Sequence, residues 1–531
     1  MLGSDIRSAL RALRRSPGFS VLAIVTLALG IGVTTVVFGA LNALVLRPLP
    51  IANSDEVAML ESNRRVSMSF PDFLDVQRDN RSFSGLAAYR ITSMALDSGA
   101  GADNVWGYLA TGNYFQMLGI TPAAGRLFTP DDDRVRNGSP YAVLSYDTWR
   151  GRFGGDPGIA GRTMRINGLT YTILGVAPPS FDGTEVFYRP ALWVPMSMQP
   201  QIEGRSWLDE RITENTLVIG RLRPGTTRAQ ALTGLDPIAR SIAAAQPRTH
   251  EGFGFRLTTP GLGGSGGRVP VTAFVSGVLL LAILVVVASS TNLASLLAAR
   301  VIDRAREIAI RLSLGASRMR IARQLLVETA ALAVLGGGGG LGLAVIVLRL
   351  LTSWQLPLPI PVRFVLTPDA WVFAFACVVT ISAGLLAALA PLRRAWRTEP
   401  SRLTGPTGEL YVRRGWGVRD LLLGLQVAVC CLLVMCAIVS IRGLARASEA
   451  PVGFDPAGVS AVGVDLSTAG YDAASGTAFK RRLLDEVAQI PGVSRVALVN
   501  ALALTFDQNN SEVFPDDGRE PRPANAFRMR C

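Results

Sequence analysis

Five stretches of this chain are apolar for long enough to cross a bilayer, and polar sequence of a different rhythm separates them. The runs are Phe19–Leu46, Val271–Ala299, Leu325–Leu351, Trp371–Leu392 and Leu421–Ile441. About 20 helical residues cover a hydrocarbon core of about 30 Å, so each run predicts a transmembrane helix. The second would be about 43 Å long at about 1.5 Å per residue, longer than the core, and predicts a helix that continues outward as a stalk. Few polar residues interrupt the runs: Asn42, Asn292, Glu328, Arg349 and Gln426. Glu328 and Arg349 fall near opposite ends of the third run, where a charge reaches the interface. The first run is too long for a signal-peptide core and lacks an Ala-x-Ala cleavage site.

Between the first two runs, residues 47–270 carry the short apolar pieces and Gly/Pro stops of a folded α+β domain. Its clearest local signal is Thr163–Leu174, where Asn167-Gly168 divides two β-rich segments. Asn-Gly is the preferred type I′ hairpin turn, because both central residues need positive φ. Further strands are expected at Val57–Leu60, Leu86–Tyr89, Ala142–Leu144, Leu192–Val194 and Asn215–Arg221, and helices at Pro71–Asp79, Tyr114–Leu118 and Arg228–Ala245. The aromatic residues of 106–115 read as core. After the fifth run the order strand, helix, strand begins again. Val459–Leu466 and Val493–Val499 read as strands, and Phe479, Leu483, Leu484, Val487 and Ile490 recur at helical spacing before Pro491-Gly492. The expectation is one full unit, 1–400, followed by the opening of a second from about 413, incomplete at 531.

Composition supports the bilayer: 531 residues are 49% hydrophobic and only 18% charged, against about 25% charged in ordinary soluble chains. Nearly all of the net charge of +13 falls in short segments beside the apolar runs. Arg7, Arg11, Arg14 and Arg15 against Asp5 leave +3 ahead of the first run. Seven arginines against two acids leave +5 between the second and third, and seven against three leave +4 between the fourth and fifth. Region 47–270 is nearly balanced, with 23 arginines and 21 acids. By the positive-inside rule the amino terminus and both Arg-rich loops are cytoplasmic, and 47–270 and everything after Ile441 lie outside. Basic residues dispersed this way do not form a nucleic-acid groove.

Scarcity excludes other chemistry. The one lysine, Lys480, stands in Gly476-Thr477-Ala478-Phe479-Lys480-Arg481, which is no GxxxxGK[ST] loop, so this chain is not expected to hydrolyse ATP itself. The one histidine, His250, cannot form a multi-histidine metal site and reads as an exposed loop residue. Asp131-Asp132-Asp133 lacks EF-hand spacing and reads as a solvated loop. Cys377, Cys430, Cys431 and Cys436 lie in apolar runs, and none of the five cysteines falls in 47–270, which is therefore built without disulfides. No catalytic constellation, metal or cofactor is expected.

Three pieces of sequence resemble a known family. Leu10-Arg11-Ala12-Leu13-Arg14-Arg15-Ser16-Pro17-Gly18-Phe19 leads into Leu27-Ala28-Leu29-Gly30-Ile31-Gly32. Asn113-Tyr114-Phe115-Gln116-Met117-Leu118-Gly119, Gly125-Arg126, Trp149-Arg150, Phe153-Gly154-Gly155-Asp156-Pro157 and Ile173-Leu174-Gly175-Val176 follow. The third is Arg304-Ala305-Arg306-Glu307-Ile308-Ala309-Ile310-Arg311-Leu312-Ser313-Leu314-Gly315-Ala316-Ser317. Together they resemble the FtsX/MacB-type permeases of ABC systems, and more narrowly those with two such units on one polypeptide. The resemblance implies an α-helical transmembrane bundle of five spans with a MacB-like periplasmic core domain at 47–270, an FtsX-like permease domain at 271–400, and the start of a second periplasmic domain at 442–531. It implies a separate cytoplasmic ABC ATPase, a homologous permease copy or second half, a bacterial inner-membrane location, and transmission of ATP-driven motion to the outer domains for efflux or extraction of a substrate. A periplasmic adaptor is a further partner of this kind.

The segment 300–324 is the expected coupling site. As a helix it places Ala305, Ile308 and Leu312 on one stripe and Arg304, Glu307, Arg311 and Arg318 on another, with Glu307 and Arg311 spaced to pair and Gly315 able to end it. Its candidate residues are Arg304, Glu307, Ile308, Arg311, Leu312 and Gly315; the plain alternative is an interfacial helix that only satisfies the charge rule. Residues 1–18 predict an elbow helix at the interface, broken at Pro17-Gly18 and anchored by Arg7, Arg11, Arg14 and Arg15. Gly336–Gly340 is either a packing seam or a flexible point in the third span. A non-transporting scaffold or sensor that regulates a cell-envelope enzyme is the alternative function, and an intramembrane enzyme is disfavoured by the lack of membrane histidine.

Overall fold

The computed structural model describes residues 7, 11, 13–97, 101–247, 249–303, 307, 310–311, 314, 317–353, 366, 368–397, 418–448, 458–462, 464, 473–499, 510–513 and 527–530. In chain order the helices are α1 (Pro17–Leu41), α2 (Phe70–Asp79), α3 (Tyr114–Leu118), α4 (Tyr146–Phe153), α5 (Gln199–Glu203), α6 (Arg228–Ala245), α7 (Gly264–Asp303), α8 (Arg318–Ser353), α9 (Ala370–Arg397), α10 (Val418–Ser448) and α11 (Ala473–Ala488). The strands are β1 (Val57–Ser62), β2 (Phe83–Asp97), β3 (Ala102–Ala110), β4 (Ala124–Gly125), β5 (Tyr141–Leu144), β6 (Thr163–Ile166), β7 (Leu169–Val176), β8 (Leu192–Pro195), β9 (Leu217–Leu222), β10 (Phe255–Thr258), β11 (Asn510–Val513) and β12 (Phe527–Arg530).

The chain divides into two units: a helical one that holds α1, α7 from Pro270 onward and α8 to α10, and one built on residues 48–269, which includes the first turns of α7. Five helices long and apolar enough to span a membrane stand where the five runs predict them. What holds α1 against α8 is close backbone approach. A Cβ on Gly340 would lie 2.9 Å from the Ala28 carbonyl oxygen and 3.0 Å from the Gly32 nitrogen, and one on Gly32 would lie 3.0 Å from the Gly340 oxygen. At Gly340 a Cβ would collide with the α1 backbone, and at Gly32 one would fit only if the neighbouring backbone gave by a few tenths of an ångström. Lipid competes with apolar side chains, so such contact, and not hydrophobicity, drives helix association in a bilayer. Gly336 packs on Leu27 and Gly337 on Thr380 of α9, while Gly338 meets nothing within 4 Å. The five-glycine run is a seam, and α8 passes through it without a break. Ala23, Leu27, Ile31, Val286, Leu293, Leu297, Leu332, Ala383 and Ala387 complete the bundle core. The Thr34 hydroxyl sits 2.9 Å from the Ala282 oxygen of α7.

The second unit is organised on a mixed ten-stranded sheet in the order β10-β1-β9-β2-β3-β8-β5-β7-β4, with β6 paired to β2 and β7. Most neighbours are antiparallel, but β3 and β8 run parallel, as do β5 and β7. The hairpin at Asn167-Gly168 forms as its dipeptide predicts, with φ of 49° and 78°. Asn167 does more than turn the chain. Its buried amide accepts from the Ala95 N–H at 2.8 Å and donates to the Ile202 oxygen at 2.8 Å, which ties the hairpin to β2 and α5. Helices α2 and α6 cover one sheet face through Phe73, Val76, Ala231, Leu235, Ile238 and Ile242 against Leu60, Leu86 and Val218. Thr227 and Gln230 form a capping box that starts α6. Tyr108, Tyr114 and Phe115 are buried in an aromatic core with Tyr89, Phe181, Tyr188 and Trp193, and Trp106 packs half-buried against it.

Several sequence expectations need correction. Strand β2 is far longer than Leu86–Tyr89, because polar positions such as Arg90, Thr92 and Ser93 mask a strand that pairs in turn with β9, β3 and β6. Strand β3, helix α4 and strand β10 carried no sequence signal strong enough to predict them. Residues 459–462 and 464, and the whole of 493–499, form no strand; a β-prone run needs a partner's ladder, and none pairs with them among the described residues. Helix α11 does form at the predicted spacing. Asp131-Asp132-Asp133 is not simply solvated: Asp132 is buried, bonded to Arg126 at 2.6 Å and to the Thr129 N–H at 2.8 Å. Asp133 accepts from the Gly112 and Ser197 amides at 2.9 and 2.7 Å.

His250 is buried, not exposed. Its Nε2 lies 3.0 Å from Asp72 Oδ2 and its Nδ1 lies 2.8 Å from the Thr249 hydroxyl. Asp72 also accepts from Ser69 Oγ at 2.6 Å and from Arg211 Nη1 at 2.7 Å, so the loop before β10 is fastened to the start of α2. Burial alone would raise the Asp72 carboxyl, but the bonds from His250 and Ser69 and the charges of His250 and Arg211 outweigh it and hold the group below its ordinary value.

Two outcomes follow. Gly340→Leu should lower the thermal stability of the detergent-solubilised chain by about 1–3 kcal/mol, whereas Gly338→Ala should leave it equal or raise it by up to about 1 kcal/mol; equal melting of both variants counts against the seam. Asp72→Asn should cost the sheet unit about 3–5 kcal/mol near neutrality, read from amide exchange in β1 and β9. Because the native carboxyl is depressed, that contribution is present above about pH 4 and is lost as pH falls through the native value, so the variant and the parent should converge in acid.

Candidate functional site

The arginines gather where α1 begins, α7 ends and α8 begins. Arg7, Arg11, Arg14 and Arg15 are helical and exposed, and the helix they belong to is interrupted at Ser16 before Pro17. Ser20 Oγ lies 3.0 Å from the Leu13 oxygen and 3.1 Å from the Ser16 oxygen, which closes the break. Arg300, in the last turn of α7, reaches across to the same point. Its guanidinium lies 3.9 Å from the Phe19 ring centroid and donates to Ser16 Oγ. A planar cation stacked on an aromatic face is worth about 0.5–2 kcal/mol, enough to fix the elbow on α7.

Of the six residues expected at the coupling segment, Arg304, Ile308, Leu312 and Gly315 lie outside the described residues. Glu307 and Arg311 are both helical, both exposed and ion-paired with each other, as their spacing allows. Arg311 Nη1 also donates to Gln324 Oε1 at 3.2 Å, and Gln324 Nε2 donates to Glu328 Oε1 at 3.3 Å, which carries a polar chain from this segment into α8. Val301, Ile321 and Leu325 cluster beside it. An exposed i,i+4 pair supplies only about 0.3–0.5 kcal/mol. Its consequence is orientation: two charged side chains are held in a defined place on an exposed turn.

At the opposite end α1 widens into a π-helical turn, Asn42–Leu46. Asn42 Nδ2 donates to Asp369 Oδ2 at 2.7 Å, and the other carboxylate oxygen accepts from the Val372 N–H at 3.1 Å, capping α9. Phe38 and Phe375 stack below with ring centroids 3.9 Å apart. The sequence pattern marks Asn42 only as a polar interruption, gives Arg300 only as one of the juxtamembrane charges and Phe19 only as the start of the first run, and does not single out Asp369. Thr367-Pro368-Asp369 ahead of an apolar run was an available capping signal, but nothing local pairs Arg300 with Phe19. Among the described residues no group of His, Cys, Asp and Glu is arranged to hold a metal.

Five spanning helices with a sheet domain inserted between the first two define a multi-pass membrane protein that carries a large module outside the bilayer. Residues 20–238 match the family described as MacB-like periplasmic core domain, and residues 279–400 match the FtsX-like permease C-terminal family. The chain therefore belongs to the FtsX/MacB-type permeases of ABC systems. Among its relatives is the macrolide export ATP-binding/permease protein MacB of Burkholderia thailandensis, 25% identical over 350 residues, which cover 66% of this chain and 49% of the relative. The protein of the same name from Shigella boydii is 24% identical, with 63% of this chain and 48% of the relative covered. The chain thus spans about half the length of the curated relatives it matches. Solved structures that align include the periplasmic region of MacB from Actinobacillus actinomycetemcomitans (15% identity, 40% of this chain, 90% of that one, TM-score 0.29). The extracellular domain of the noncanonic ABC-type transporter YknZ from Gram-positive bacteria aligns at 14% identity, over 38% of this chain and 99% of that one, with a TM-score of 0.29.

Arg300→Ala should free the elbow, raising the rate of tryptic cleavage after Arg14 and Arg15 several-fold in nanodiscs while melting of the sheet unit stays unchanged. An unaltered cleavage rate would remove the Arg300 contact from the account.

Proposed function

We propose that this permease transmits motion. An ABC ATPase subunit docks on the cytoplasmic segment around Glu307 and Arg311, and its closure moves α7 and α8, and through them the periplasmic sheet domain, to drive efflux or extraction of a substrate from the membrane or periplasm. The single observation that carries this reading is the exposed Glu307–Arg311 pair, tied through Gln324 to α8 within residues of the end of α7. That placement would give a partner a handle on two spanning helices at once. The companion residues are Arg304, Ile308, Leu312 and Gly315 of the same segment, with Arg7, Arg11, Arg14 and Arg15 anchoring the elbow to the lipid surface. The sequence has no GxxxxGK[ST] loop, so in this reading hydrolysis belongs to a separate subunit. A homologous permease copy or second half completes the assembly, and a periplasmic adaptor is a further partner of the outer domain. The amino terminus is cytoplasmic, in a bacterial inner membrane, because the uncompensated arginines flank the spans on that side.

The charge reversal Glu307→Arg with Arg311→Glu should reduce ATPase co-purification at least about tenfold, with vanadate-sensitive export falling in step. Full ATPase recovery with both changes would remove the docking role. Altered cell-wall hydrolysis with no export in the parent would favour a scaffold instead. In a cysteine-free background, Thr170→Cys on the exposed hairpin should label from outside the cell; labelling only after lysis would reverse the topology.

A further inference from the structure

Strand β10 leads into α7 through Thr258-Thr259-Pro260-Gly261-Leu262-Gly263-Gly264-Ser265-Gly266-Gly267, a run too rich in glycine to hold itself rigid. Gly263 and Gly264 have φ of 61° and 64°, and a Cβ on Gly264 would sit 2.1 Å from Glu61 Oε1. Two carboxylates of the sheet unit grip this stretch, and both are almost wholly buried, Glu61 at 1% and Glu185 at 2% exposure. Glu61, on β1, accepts from the Ser265 N–H at 2.6 Å, the Ser265 hydroxyl at 2.5 Å and the Thr258 hydroxyl at 2.6 Å. Glu185 accepts from the Gly263 N–H at 2.7 Å and from the Tyr89 hydroxyl at 2.6 Å. Carboxylates at these amides also favour the positive end of α7. A buried carboxylate is costly, and a structure that needed only an anchor would be served by a neutral acceptor.

We propose that Glu61 and Glu185 form a two-point latch on the glycine hinge that starts α7, and that protonation of Glu185 slackens it by turning a charge-assisted bond to Gly263 into a neutral one. Charge-assisted bonds are roughly twice as strong as neutral ones. The groups that face Glu185 are the hydroxyls of Tyr89 on β2, Tyr108 on β3 and Tyr114 on α3, together with Thr184 beside it in sequence; Glu61 faces the same hinge from β1. Among the described residues no cation pairs with Glu185. Burial therefore dominates, and although the bonds from Tyr89 and Gly263 oppose it, the carboxyl is pushed up to about 7. The latch titrates where a periplasmic domain meets ordinary changes in external acidity.

The sign separates the latch from unfolding. A carboxyl raised by burial in the native state contributes stability that is full at low pH and is lost as pH rises through about 7, so acid does not unfold the sheet. Acid slackens the hinge because Glu185 stays buried when the Gly263 bond breaks, and losing that bond raises the carboxyl further. This inference gains its mechanical meaning from the proposed transmission of motion, but its test needs no ATPase, so either can fail alone. Amide exchange is measured on the full chain in nanodiscs at pH 8 and pH 5.5 and corrected for intrinsic rates. Exchange in a 261–267 peptide should quicken about tenfold in acid, while exchange in β1 and β9 does not. Glu185→Gln should show the acid rate at both values, and Glu61→Gln should quicken exchange at both and keep the step. A parent hinge indifferent to pH, a Glu185→Gln hinge that keeps the step, or equal loss of protection throughout the sheet would each overturn the latch.

Discussion

The membrane part depends on how nearly two helix backbones approach. At Gly340 the separation leaves no room for a Cβ, and at Gly32 one would be held at 3.0 Å from the Gly340 oxygen. A bilayer offers no reward for burying leucine against leucine, so attraction must come from many short contacts and a few polar ones. Thr34 against Ala282 and Asn42 against Asp369 are such polar contacts, and the stacked pair Phe38 and Phe375 adds an aromatic one. The glycine run thus serves rigidity: where α1 and α9 pack against it, its lack of side chains becomes contact.

The sheet unit solves a different problem with the same economy of special residues. Its interior is crowded with tyrosines and buried acids, groups that demand partners when removed from water. Many of those partners lie far along the chain. Asp72 brings together α2, Arg211 and the loop of His250, while Glu61 and Glu185 bring together β1, the aromatic core and the first turn of α7. Long-range polar ties of this kind hold segments that could not have held themselves, since a glycine-rich run has no local preference of its own.

The proposed transmission of motion would use stiff elements, defined joints and a handle. Here the stiff elements are spanning helices and a ten-stranded sheet. In that reading the joints would be the break at Ser16-Pro17, braced by Arg300, the π-helical turn beyond Leu41, and the proposed hinge ahead of α7. The exposed Glu307–Arg311 pair has the position of a handle.

The sequence by itself determined the five spans, the clustering of arginines beside them, the α+β character of the inserted region, the Asn167-Gly168 hairpin and the pairing of Glu307 with Arg311. Each of these is local: a run of apolar residues, a dipeptide with positive φ, or two side chains one helical turn apart. Tertiary structure alone decided the rest. Whether Gly336–Gly340 was a seam or a flexible point depended on which helix lay against it. Whether His250 and Asp132 were solvated depended on partners supplied by other elements, Asp72 and Arg126. The β-prone runs at 459–462 and 493–499 show the converse, since strand propensity without a neighbouring ladder leaves them without regular structure. Contacts such as Arg300 on Phe19 join residues hundreds of positions apart, and no pattern along the chain records which distant surface a side chain will meet.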